Sequence, residues 1–269
     1  MPVVDVYYYT DPACPWSWAL EPAVRRLQHE CAESLRISYV MCGMARVFED
    51  PGSVAVESLH ASDRSGMPVD GRLWLEDAPR SSHPACLAVK AATEQGDPAP
   101  YLRRLREGLL CRRRRLDGTE ALVEEARMVP ELDAARFRID LGSHAMLEGF
   151  AADLDRAAAV PEQHRAPDSA RPQLPSLEFR GEDGVTHGVY GFSDYERLLD
   201  AARAAGAATG SSTPSIEEAL RRFPTMATVE VAAVCELPGP TAPAELWRLA
   251  VGWRVKPERV GNGELWSLA

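Results

Sequence analysis

The residues with the clearest chemical potential are Cys14 and Ser17, in the run Asp11-Pro12-Ala13-Cys14-Pro15-Trp16-Ser17-Trp18. A cysteine thiolate is a nucleophile that exchanges with disulfides. The run follows Val3-Val4-Asp5-Val6-Tyr7-Tyr8-Tyr9, whose β-branched and aromatic residues read as a strand. It precedes Ala19 to Leu27, which reads as an amphipathic helix. Cys14 therefore stands where a strand hands over to a helix, and the unpaired N–H groups of a helix start favour an anion. That placement predicts a lowered thiol pKa and partial thiolate near neutral pH. Ser17 shares the helix start and, with the first amides, is expected to stabilise the thiolate. A serine cannot attack a mixed disulfide, so Cys14 and Ser17 alone cannot complete a dithiol oxidation. They can form a mixed disulfide that an external thiol resolves, isomerise disulfides, or present a thiolate that does not exchange. Among the other cysteines, Cys42 at the end of a neighbouring strand and Cys86 are the candidate resolving thiols.

Stepping outward, Leu35 to Cys42 reads as a second strand. Strand, helix and strand over about forty residues make a βαβ unit with parallel strands and a right-handed crossover. Ligands of open parallel sheets bind at the carboxyl end of the strands, where Cys14 and Cys42 would both lie. Residues 45 to about 82 carry Pro, Gly and Asp breaks and read as irregular structure with short helices. From Pro84 the pattern is helical: Ala85 to Glu94, Pro100 to Arg114, Thr119 to Arg127, Asp133 to Ile139 and Ser143 to Ala159. Arg112-Arg113-Arg114-Arg115 reads as a solvated, cationic helix end. Residues 161–172 form a polar, proline-rich loop. Gln173 to Arg180 and Val185 to Tyr190, joined by Gly181-Glu182-Asp183-Gly184, read as a hairpin, and Gly191 to Ala205 as a helix.

The chain ends on a small-residue linker, Ala207 to Pro214, and then three helical segments: Ser215 to Phe223, with a Ser215/Glu218 capping box, Thr228 to Leu237, and Pro243 to Gly252. A short hairpin turns at Gly261-Asn262-Gly263. Three helices and a hairpin have the outline of a winged helix.

The formal charge of −10 over 269 residues argues against nucleic acid as a partner, and so does the absence of a basic face on the second of those helices. No run approaches the roughly 20 apolar residues of a membrane span, and no charged start leads into a long apolar core. The six cysteines are scattered, which predicts reduced thiols and a cytoplasmic protein. His83 and Cys86 alone do not make a metal site, and no metal is expected.

A strand followed by Asp-Pro-x-Cys-Pro-Trp-x-Trp and a helix resembles the DsbA-like branch of the thioredoxin superfamily. That branch includes dithiol oxidoreductases of the FrnE type, the hydroxychromene-carboxylate isomerase and kappa-class glutathione transferase group, and ClpXP-adaptor-like proteins. Its usual motif is Cys-x-x-Cys, whereas this chain reads Cys14-Pro15-Trp16-Ser17. The resemblance implies an α/β thioredoxin-like fold formed by residues 1–44 and 170–206, an all-helical insertion or lid of residues 45–169, and a winged-helix-like extension of residues 207–269. It further implies that Pro175 is a cis-proline beside Cys14, and that Pro15, Trp16 and Leu174 border a substrate groove. The function it implies first is that of a thiol–disulfide oxidoreductase or isomerase working through Cys14, on a protein disulfide or a small thiol. No covalently bound cofactor is expected, but a low-molecular-weight thiol such as glutathione is. One alternative is a non-catalytic protease adaptor, a subfamily that also places an aromatic residue and Ala-Leu-Glu-Pro where Trp18 to Pro22 stand here. The other is a thiol-dependent isomerase or transferase acting on a small molecule. A homodimer is compatible with each.

Overall fold

The computed structural model describes residues 3–167, 169–210 and 212–269. Met1 and Pro2, Asp168 of the expected loop and Ser211 of the expected linker lie outside the described residues.

The β-branched and aromatic run at the N-terminus does form a strand, β1 (Val4–Thr10). Two helices follow, α1 (Pro15–Ala19) and α2 (Glu21–Glu30). They meet at Leu20 because Pro22 has no N–H to continue a single helical ladder. Next comes β2 (Leu35–Met41), which pairs parallel with β1 in the register Val6↔Ile37 and Tyr8↔Tyr39. The insertion then supplies α3 (Pro51–Ser65), α4 (Leu73–Glu76), α5 (His83–Thr93), α6 (Ala99–Leu110), α7 (Thr119–Arg127), α8 (Ala134–Leu141) and α9 (His144–Ala158). The chain returns to the sheet as β3 (Ser176–Arg180) and β4 (Thr186–Tyr190), then closes with α10 (Tyr195–Ala204). The four-stranded sheet has the order β2-β1-β3-β4, with β3 antiparallel to β1. This is a thioredoxin-like α/β fold.

One face of the sheet, with Val4, Val6, Tyr8, Leu177, Phe179 and Val189, packs on Val24 and Leu27 of α2 and Leu198, Leu199 and Ala202 of α10. The opposite face lies under α9. The insertion has its own larger core around Trp18, Trp74, Tyr101, Phe137 and Phe150.

Two local expectations fail. Residues 45–82 are not mainly irregular, because α3 runs for 15 residues. Its small residues Ala55, Ser58, Ala61 and Ser62 form most of the buried side, and such a face gives no strong apolar periodicity. The helix is bounded by Asp50, whose carboxylate caps the Ser53 N–H, and by Gly66 in a left-handed conformation (φ 74°). Secondly, α6 ends at Leu110, so Arg112 to Arg115 lie beyond the helix end; Arg113 to Arg115 are exposed as expected, but none of the four is without an anionic partner. Each is paired: Arg112 with Glu107 and Glu258, Arg113 with Asp70, Arg114 with Glu124 and Glu125, and Arg115 with Asp77 and Asp117.

The C-terminal part holds α11 (Ile216–Arg222), β5 (Met226–Ala227), α12 (Thr228–Val234), α13 (Thr241–Val251), β6 (Val255–Val260) and β7 (Gly263–Leu268). The Ser215/Glu218 capping box forms, and α12 carries no basic residue. β5 makes a third strand beside the expected hairpin, in the order β5-β7-β6. The hairpin turn rests on the insertion. Asn262 accepts the Val69 N–H (2.9 Å) and donates to Ser62 (2.9 Å), and a Cβ at Gly261 would lie 1.8 Å from the Val69 carbonyl. α12 lies against α2.

Candidate functional site

Cys14 is the N-cap residue of α1, and the Ser17 N–H donates to its Sγ (3.4 Å). The local geometry is thus that of a helix-start cysteine, but its environment is not. Tyr9, Val40, Cys42, Ala157, Val160 and Leu174 enclose Cys14 in one apolar cluster, and it is only 3% exposed. Burial pushes the thiol above its ordinary value, and the Asp11 carboxylate adds to the rise; the hydrogen bonds from Ser17 and Trp16 oppose it without cancelling it. The lowered pKa expected from the helix start is therefore corrected. Five residues of α1 carry little dipole, and the cost of burying a thiolate outweighs it.

Ser17 is fully buried and already engaged, since its Oγ accepts from the Thr10 hydroxyl (2.8 Å). Thr10 in turn accepts from the Arg106 guanidinium. Asp11 fixes the loop ahead of the cysteine. It accepts from the Ala13 N–H (2.8 Å), the Met44 N–H (2.6 Å), the Ser82 hydroxyl (2.8 Å) and the Cys86 thiol (3.3 Å). One carboxylate so ties together the β1 exit, the β2 exit and the start of α5.

The Leu174–Pro175 bond is cis, and Leu174 lies in the Cys14 cluster. Ser176 next to it accepts the Gly191 N–H (3.2 Å), joining the β3 entry to the β4 exit. Of the residues expected to border a groove, Pro15, Leu174 and Pro175 are buried. Trp16 is half-buried: its ring leans on Phe192 (5.3 Å between centroids), and its indole N–H donates to Glu57 of α3 (2.8 Å). The surface over the cysteine is filled by the protein's own side chains.

The candidate resolving thiols are buried as well. Cys42 shares the Cys14 cluster and donates to the Val40 carbonyl (3.5 Å), while Cys86 is held by Asp11. Both are buried, and burial raises both thiols well above the ordinary range. All six cysteines are unpaired. Among the described residues no group of three or more His, Cys, Asp or Glu could hold a metal. His83 packs edge-to-face on Phe150 instead. No helix among the described residues is long and apolar enough to cross a membrane.

A second constellation escaped the sequence reading. Three arginines and three glutamates are buried together: Glu21 and Arg25 of α2, Arg103, Arg106 and Glu107 of α6, and Glu230 of α12. Arg103 donates to both carboxylate oxygens of Glu230 (2.8 and 2.9 Å), to Glu107 (2.6 Å) and to Glu21 (3.2 Å). Arg25 reaches Glu230 (3.1 Å), and Arg106 bonds Glu21. The Glu230 carboxylate also caps the Ala227 N–H (2.6 Å). Opposite charges hold Glu107 down at about 2 and lower Glu21, both against the cost of burial. The available signal was the i,i+4 pairs Glu21/Arg25 and Arg103/Glu107, which a sequence shows without showing that they are buried.

A cleft of about 1160 Å³ opens beside this network. It runs between the free edge of β2 and residues of α6, α9 and the C-terminal part, and its lining includes neither Cys14, Trp16 nor Pro175.

Comparison with known proteins agrees with this geometry. The Thioredoxin_5 family, described as thioredoxin, matches residues 7–161, more than half of the chain. The chain is 27% identical over 281 residues to the ClpXP adapter protein SpxH of Halalkalibacterium halodurans, covering 98% of this chain and 88% of that one. It is 28% identical over 273 residues to SpxH of Bacillus subtilis, covering 98% and 89%. Among solved structures, the cytosolic disulfide reductase DsbM from Pseudomonas aeruginosa superposes with a TM-score of 0.56 at 20% identity, over 75% of this chain and 94% of that one. The buried Cys14 at a strand-to-helix turn, the cis-proline and the helical insertion are thus those of a chain that belongs to the Thioredoxin_5 family, a DsbA-like member of the thioredoxin superfamily.

Proposed function

We propose that this protein is a protease adaptor, in which the thioredoxin-like fold is a scaffold for binding a client and presenting it to a ClpXP-type protease. The observation that carries the reading is the closed environment of Cys14. The thiol is almost wholly buried, its pKa is raised, and Ser17 stands where a resolving thiol would be. A nucleophile for disulfide exchange needs access and thiolate character, and the burial and raised pKa of Cys14 work against both. Coverage supports the same reading. The SpxH adapters of Halalkalibacterium halodurans and Bacillus subtilis align with 98% of the chain, the C-terminal part included. On this reading the protein works in the cytoplasm with all six thiols reduced.

The second reading is a monothiol oxidoreductase that uses a low-molecular-weight thiol such as glutathione. The Cys14 N-cap position, with Leu174 packed against the thiol, favours it. One variant separates the two. In a reconstituted degradation assay with ClpXP and a bound client, Cys14→Ala keeps the stimulation of the adaptor. If Cys14→Ala abolishes that stimulation, or if the wild type reduces a glutathione mixed disulfide and the variant does not, the monothiol reading replaces it.

A further inference from the structure

The free edge of β2 is a strand's worth of unpaired backbone facing a cationic cleft. Among the described residues β2 is the outer strand of its sheet and pairs only with β1. In a parallel pair the N–H and C=O of one residue point to the same side, and successive residues alternate. Cys42 donates its N–H to Thr10 of β1, so the even-numbered residues face β1. Met41 faces the other way, and its N–H is taken by the Asp153 carboxylate (2.9 Å) of α9. Leu35, Ile37 and Tyr39 share the parity of Met41. Their outward N–H and C=O groups have no partner among the described residues, and Leu35, Ile37 and Tyr39 all line the cleft. Asp153, itself held by Lys90 (2.9 Å), closes the ladder at one end.

The charge of the cleft is opposite to that of the protein. Eight lysine and arginine side chains line it against five aspartates and glutamates, in a chain of formal charge −10. The inner cations are neutralised by the buried network. Arg156, Arg221 and Arg222 at the rim are exposed and make no ion pair among the described residues. They lie on both sides of the sheet plane. Arg156 stands over the Tyr7 ring (4.3 Å) on the α9 face, and Arg222 donates to the Gln28 carbonyl of α2 (2.7 Å) on the other face. A strand added to β2 would project its side chains alternately to these two faces, so carboxylates on either side would meet a free cation.

We infer that the β2 cleft binds an extended acidic segment of a client protein, by strand addition to Leu35–Tyr39 with carboxylates on Arg156, Arg221 and Arg222. That the segment belongs to a client rests on the adaptor reading, whereas the strand site itself does not. The backbone ladder supplies affinity independent of sequence, and the rim cations select for acidic segments.

The test titrates the full chain with an acetylated peptide of about ten residues repeating Glu-Glu-Val-Val, long enough to span the open ladder and placing carboxylates on both of its faces. No protease is present, so a failure here is separate from a failure of the adaptor reading. The expected result is saturable binding, with slowed hydrogen exchange at the Ile37 and Tyr39 amides. The combined variant Arg156→Glu, Arg221→Glu, Arg222→Glu should weaken binding at least about tenfold, because rim charges select the ligand. All three side chains are exposed and outside the ion pairs of the described residues, and a circular-dichroism melt of the variant checks that losing the Arg222 bond to Gln28 and the Arg156 contact with Tyr7 leaves the fold intact. The same peptide with Lys for Glu should not bind. The inference is overturned if the Glu peptide does not bind, if binding survives the triple reversal, or if protection appears away from β2. It is also overturned if the Ile37 and Tyr39 amides are already protected without peptide in a chain that sediments as a dimer, since a second copy then fills the edge.

Discussion

At the scale of single residues, Cys14 shows how one position can be read correctly and its chemistry wrongly. Its place between strand and helix, and the proline that turns out to be cis, are visible in the order of residue types. Its reactivity is not, because Ala157, Val160 and Leu174, which close over it, lie more than 140 positions away. Local geometry favours the thiolate through Ser17 and the helix start, and long-range burial reverses the sign. The raised pKa makes two measurements informative. Iodoacetamide should label Cys14 in the folded protein more slowly than a free cysteine near neutral pH, since burial both raises its pKa and shields the thiol from the reagent. Labelling at the free-cysteine rate would remove the basis of the adaptor reading. Stability should also depend on alkaline pH. Cys14, Cys42 and Cys86 stay protonated when folded but ionise at about 9 when unfolded. Their contribution is complete below that pH and is lost as the pH rises through the folded values, so the urea midpoint should fall above about pH 9.

At the scale of elements, the strands and most helices of the thioredoxin-like part were legible, because apolar periodicity and caps coincide there. α3 was not, since apart from Val54 its buried side consists of alanines and serines. Arg112 to Arg115 misled for a related reason, as their carboxylate partners come from several other segments of the chain. The most consequential element is α12. It carries Glu230, and through it the C-terminal part reaches Arg25 and Arg103. Replacing Glu230 with Gln leaves those guanidinium groups buried without their main partner, which should cost about 3–5 kcal/mol. Glu258→Gln breaks an ion pair at the rim, where Glu258 is half exposed, and should cost no more than about 1 kcal/mol. Urea denaturation of the two variants compares them directly, and equal costs would show that the buried network is not coupled as its geometry implies.

At the scale of the whole molecule, the sheet, the insertion and the C-terminal part share one set of buried charges, so they should unfold together. A chain ending at residue 206 would lose Glu230 and leave Arg25 and Arg103 in the core without it. We expect that truncation to give no cooperative thermal transition by circular dichroism, whereas the full chain gives one. A truncated chain with a sharp transition would show the extension to be an appendage. Acid should act on the same network. Glu107 moves from an ordinary value of 4.5 when unfolded to about 2 when folded, and Glu21 is lowered as well. Their stabilisation is present above about pH 4.5 and should be lost as the pH falls towards 2. The network also has a consequence in time. Arg103 and Glu230 are 127 residues apart in sequence. At typical rates of translation, Arg103 leaves the ribosome roughly 6–25 s before Glu230 does. Through that interval the nascent chain holds a cationic seam that only its last quarter can close, so the thioredoxin-like part cannot reach its final packing until synthesis is nearly complete.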